Sequence, residues 1–161
     1  MTVDGLATTF AVPQHAQRAT LRPFERFFRS AGSVEYVERL ASSPTNVIVA
    51  RWRLEAPDRV AYQIRGGSQA IVIGAHRWDR ANAHSRWVES PQTPLVQPVV
   101  PWRRATNVWR IAPRTIVFVD PTIPGYFTLE GHARLHMVAA AHFMTDRYVS
   151  FGSPRRLRAP R

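Results

Sequence analysis

A chain of 161 residues, 45% hydrophobic and 20% charged, is long enough for one domain with its own core, and its composition excludes a disordered chain, a collagen-like repeat or a coiled-coil rod. Its longest apolar stretches, such as Ala70–Ala75 and Met137–Ala141, fall far short of the ~18–20 residues a membrane-crossing helix needs. The absence of cysteine excludes disulfides, thiol chemistry, zinc ribbons and a lipid-modified cysteine anchor. The net charge is +11, and all 22 basic residues are arginine. Arginine binds phosphates bidentately, which suits nucleic acid or an acidic lipid headgroup, although arginine-only usage beside much Ala, Pro and Val also fits coding bias in a GC-rich genome. The arginines are scattered, and only Arg155, Arg156, Arg158 and Arg161 form a dense group, which argues against nucleic acid.

The first twenty residues have no charged start followed by an apolar run, so they do not form a secretory signal. Two readings follow: a cytoplasmic protein, or a soluble piece whose export signal or membrane part lies outside this sequence. Residues 1–20 are expected to form a weakly structured leader, 21–154 a single domain and 155–161 a basic tail. Leu21, Phe24, Phe27 and Phe28 have helical spacing, with Pro23 in the first turn and Ala31-Gly32 as the stop. From Ser33 the period changes to two, giving a strand through Leu40. A second strand over Asn46–Glu55 buries Ile48, Ala50, Trp52 and Leu54. Ala56-Pro57-Asp58 turns the chain into Arg59–Ile64, and Gly66-Gly67 turns it again into Gln69–Arg77, so four strands form an antiparallel meander. The proline-rich stretch Pro91–Pro101, flanked by Trp87 and Trp102, is expected to pack across the sheet as an extended loop. Further strands are predicted at Thr106–Ile111, Arg114–Val119 and Gly125–Glu130. Local propensity favours a helix over Ala133–Met144, followed by strand-like Tyr148, Val149 and Phe151.

The order of a proline corner (Ala56-Pro57-Asp58-Arg59-Val60), an aromatic strand (Ala61-Tyr62) and an apolar strand ending in Gly74 through Trp78 resembles the LolA-like, LppX-like lipoprotein-carrier superfamily. Phe118-Val119-Asp120-Pro121, Gly125-Tyr126-Phe127 and the ending Ala141-His142-Phe143-Met144, Tyr148, Phe151, Ser153-Pro154 are similar to extracytoplasmic domains that accompany copper-resistance membrane proteins. The resemblance implies an α+β fold: a strongly curved antiparallel sheet of roughly 8–11 strands, an unclosed barrel, with one or two packed helices. It also implies a hairpin over residues 134–151 in place of the helix that propensity favours.

No nucleophile elbow, zinc-protease motif or phosphate-binding loop is present, and a non-enzymatic role is expected. His132, His136, Met137, His142 and Met144 combine imidazole and thioether, ligands suited to Cu(I). In a hairpin, a two-residue turn places Met137 on the face of His142 and Met144, whereas a three-residue turn substitutes His136. In a helix, His132 and His136 would sit one turn apart and could begin a zinc site. The plainer alternative is methionine in the core with histidine at its rim. Five tryptophans, at 52, 78, 87, 102 and 109, are either ordinary core aromatics or the lining of a concave face. Trp52, Tyr62, Trp78, Trp87 and Trp102 are the candidate ligand contacts. The expected function is extracytoplasmic binding of an apolar or lipid-like ligand, beside an anionic membrane and a membrane-protein partner. Copper binding and nucleic-acid binding are the alternatives.

Overall fold

The computed structural model describes residues 2–4, 9–95, 102, 104–123, 125–139, 142–152 and 156–161. Its helix, α1 (Arg22–Ala31), has Pro23 and Glu25 in the first turn, Arg29 in the last, and Gly32 in the left-handed conformation that closes it. Phe24, Phe27 and Phe28 recur at helical spacing and point into the sheet, where Phe28 is wholly buried.

The sheet is built from two consecutive antiparallel meanders. The first comprises β4 (Ser33–Ala41), β5 (Val47–Glu55), β6 (Arg59–Ile64), β7 (Gln69–Ile73), β8 (His76–Arg80) and β9 (Val88–Pro91). The second comprises β10 (Thr106–Ala112), β11 (Thr115–Val119), β12 (Tyr126–Glu130), β13 (Arg134–Ala139) and β14 (His142–Phe151). They meet where β14 pairs antiparallel with β4. β3 (Gln17–Arg18) joins β10 at one edge and β9 forms the other, giving a twelve-stranded sheet that does not close into a barrel. Strand alternation defines two faces. The inner face carries α1 over Ile116, Phe118, Phe127, Leu129 and Leu135, with Trp102 buried among them. On the outer face, Val12 packs with Trp109, Val117 and Val119, beside the small sheet of β1 (Thr2–Asp4) and β2 (Thr9–Ala11).

Several expectations change. The main sheet has more strands than the expected 8–11. One reason is that Gln69–Arg77 is two strands: Gly74 adopts φ +57°, the chain reverses, and Ile73 pairs with His76. Ala133–Met144 is not helical. β13 and β14 pair from Arg134–Arg147 to Ala139–His142, because this register buries Leu135 against the helix cluster and outweighs the helix preference of Ala, Leu and Met. The leader carries three short strands, and its Val12 is 7% exposed. The basic tail is docked: Leu157 is buried, its N–H donates to Glu55 at 2.7 Å, and its carbonyl accepts from Arg59. Of the proline-rich loop, Leu95 packs against Leu54, Val60 and Val72 on the inner face, while 96–101 lie outside the described residues. Ala141, Ser153, Pro154 and Arg155 also lie outside them. Among the described residues no helix is long and apolar enough to cross a membrane.

Candidate functional site

Three rungs of side chains cross the inner face at the junction of the two meanders. The first is aromatic. Tyr148, Tyr36, Trp52 and Tyr62 lie directly opposite one another on β14, β4, β5 and β6, with ring centroids 5.7, 6.2 and 4.9 Å apart in that order. All four are half-buried, and the row ends near Arg77, whose guanidinium donates to the Tyr62 hydroxyl at 3.5 Å and pairs with Asp79.

Two residues along each strand, a rise of about 7 Å, the next rung runs Leu135, Asp146, Glu38, Ala50 and Ile64. Asp146 and Glu38 are direct cross-strand partners, an arrangement that two charged carboxylates oppose. Asp146 is 2% exposed, and its Oδ1 has no hydrogen-bond partner among the described residues. Burial, and secondarily the charge of Glu38, push its carboxyl up from 3.8 to about 8. Burial also raises Glu38, against the opposing effect of a hydrogen bond donated by Trp52 Nε1 at 3.0 Å. Burial first, then the charge of Asp146, raises the phenols of Tyr36 and Tyr148 above their ordinary range. At neutral pH Asp146 therefore stays protonated, so the two facing carboxyls do not both carry charge.

The third rung, Met137, Met144, Leu40 and Ile48, reaches the hairpin end of the sheet. There a recess of about 250 Å³ is lined by Leu40, Ile48, Met137, His142 and Phe143 together with the turn residues Ser42 and Asn46. Leu40 and Ile48 are exposed there, and together the three rungs form an apolar and aromatic strip with one carboxyl pair at its centre.

The structure divides the sequence candidates. Trp52 and Tyr62 share the aromatic row. Trp102 is a core residue, 2% exposed, with its Nε1 donating to Glu25 at 3.0 Å. Trp78 faces outward, because it pairs with Ile71 and the turn at Gly74 resets the alternation. Trp87 is outside as well, beneath the Arg80 guanidinium at 4.5 Å. Among the soft-ligand candidates, Met137 pairs with Met144, and His142 follows two residues before Met144 on the same face. His136 points the other way, 3.1 Å from the Thr145 hydroxyl and 3.5 Å from Glu130. His132 stacks on Phe27 at 3.8 Å, and burial holds it below the usual imidazole range, so it does not join His136 in a zinc site. Among the described residues no group of three or more His, Asp or Glu is placed to hold a metal.

Sequence reasoning missed Tyr36, Glu38, Asp146 and Tyr148. The available signal was a carboxylate at an alternate position among apolar residues, Tyr36-x-Glu38-x-Leu40 and Met144-x-Asp146-x-Tyr148. No family model matches the chain, and no curated protein matches it.

Proposed function

We propose that this chain is a non-enzymatic, LolA-like binding domain that holds an apolar or lipid-like ligand against the inner face, in an extracytoplasmic setting beside an anionic membrane and a membrane-protein partner. The observation that carries the reading is the half-buried row Tyr148, Tyr36, Trp52 and Tyr62, continued by the apolar recess at Met137 and Ile48. Such a strip offers large contact area with few polar groups to desolvate. Exposed arginines on the outer face, Arg39, Arg134 and Arg147, supply long-range attraction to an anionic surface. Native mass spectrometry of the extracted protein, with titration of an apolar fluorescent probe, tests the reading. Probe binding that weakens in Trp52→Ala and Tyr62→Ala supports it. An empty protein that takes up no probe refutes it, and salt-sensitive retention of DNA with indifference to liposomes would favour nucleic acid instead.

The pairing of Met137 with Met144, on the face that also carries His142, favours a second reading as a Cu(I) carrier. Titration under reducing conditions against a Cu(I) chelator tests it. Binding lost in Met144→Leu and His142→Ala, with little change in melting temperature, supports it.

A further inference from the structure

The outer face of β5 to β8 carries a groove of about 340 Å³ whose lining includes Arg51, Arg53, Gln63, Gln69, Arg80 and Trp87. The geometry points to a binding site for a phosphate-type anion in this groove. Trp52 and Tyr62 of the aromatic row also border the groove, but strand alternation places Arg51, Arg53, Gln63 and Gln69 on the opposite face from those two, so the inference rests on different side chains from the apolar-ligand reading.

The central observation is Arg53. Among the described residues its buried Nε and Nη2 have no hydrogen-bond partner, and the carboxylate it pairs with, on Glu55, stands 3.9 Å away. That carboxylate is also engaged by the tail, accepting from the Leu157 N–H and standing 3.7 Å from Arg156. A guanidinium cannot shed its proton as a buried carboxyl can accept one, so a half-buried Arg held 3.9 Å from a carboxylate that the tail also engages keeps charge for an added anion. The neighbours on the same face fit that role. Arg51, two residues before it on β5, binds Glu35 through Nε and Nη2 and is otherwise exposed. Arg80 is fixed by two hydrogen bonds to Gln69 Oε1, at 3.0 and 2.6 Å, and by the Trp87 ring beneath it. Gln69 Oε1 is thereby committed to Arg80, whose charge stands fixed in the lining of the groove. Among the described residues Glu35 is the one carboxylate in the lining, and Arg51 already occupies it. Three guanidiniums therefore stand against that carboxylate, and Arg51 and Arg53, two residues apart on one face of β5, bring planar donors of the kind that bind phosphate oxygens to the same groove.

The same chemistry is offered by a free phosphate monoester and by a lipid phosphate headgroup. The test uses the full chain with inorganic phosphate, a soluble phosphate monoester, and vesicles of neutral lipid with or without phosphatidic acid, all at constant ionic strength. Calorimetric titration is expected to give saturable one-to-one binding of at least one probe, weakened about ten-fold or more by Arg53→Gln. Arg26→Gln, an exposed helix substitution that removes the same charge, is expected to leave it unchanged. Arg51→Gln provides a second variant should Arg53→Gln fold poorly. Binding of the soluble phosphates assigns a small-molecule site, whereas binding of phosphatidic acid vesicles alone assigns a headgroup site. No saturable binding of any probe, or equal loss in the Arg26 and Arg53 variants, overturns the inference.

Discussion

Replacing Asp146 with asparagine isolates the carboxyl pair, because the structure sets both the sign and the size of the effect. Asp146 is 2% exposed, and its carboxyl is pushed from 3.8 to about 8 by burial and then by Glu38. A carboxyl whose folded value lies above its unfolded one holds its proton more tightly when folded. Its contribution is complete below the unfolded value and is lost as pH rises from about 4 through about 8. At about 1.4 kcal/mol per pH unit, that interval sets a ceiling of roughly 6 kcal/mol. Relaxation and water entry once the charge forms bring the observable effect to about 2–4 kcal/mol. Asparagine keeps the shape and carries no titrating proton, so Asp146→Asn should match or trail the wild type near pH 5 and exceed it by about 2–4 kcal/mol near pH 9. His132 works in the opposite direction: burial, and then the Arg114 charge, hold it low, and its stability term grows as pH rises towards about 6.5. The difference between the two proteins at each pH cancels this term. Urea unfolding with linear extrapolation at intervals between those limits measures it. A difference that does not change with pH, or one that increasingly favours the wild type at high pH, would refute the reasoning.

Gly125→Ala should lower the urea midpoint with little change in slope. Gly125 has φ +102°, and a Cβ there would stand 2.1 Å from the Val138 carbonyl oxygen, so backbone must shift at a cost of more than about 2 kcal/mol. Trp102→Ala should cost about 3–5 kcal/mol in the same assay, since the ring is 2% exposed and packs edge-on against Phe28 and Phe118. A loss below about 1 kcal/mol would show that this site collapses around the cavity or that the ring is not part of the core.

The features legible in the sequence are those specified by neighbouring residues. Phe24, Phe27 and Phe28 between Pro23 and Gly32 define α1 to within a few residues, and the period-two run from Val34 onwards defines the first meander, with Gly66-Gly67 as a turn. Leu135 shows where local information gives out: its immediate neighbours are good helix formers, and only Leu129 and Asp146, on other strands, explain why it is extended. The site was half legible for a related reason. Trp52 and Tyr62 fall in phase across a short hairpin, but the reversal at Gly74 places Trp78 out of phase with them. Asp146 and Glu38 acquire meaning only as a pair, and their pairing is set by strand register between distant segments.

That register also bears on how the protein acquires its function. Each meander can assemble from short-range hairpins, whereas β4 and β14 join positions more than a hundred residues apart and must wait for both halves. The candidate site straddles this seam. Tyr148 and Asp146 belong to one meander, while Tyr36, Glu38, Trp52 and Tyr62 belong to the other. Neither half contains the whole inner-face strip by itself, so a partly folded chain would present it as two separate apolar surfaces. If the inner face is where ligand binds, uptake becomes a report of completed assembly. Two fragments divided between β9 and β10 would then recover binding only when they recombine.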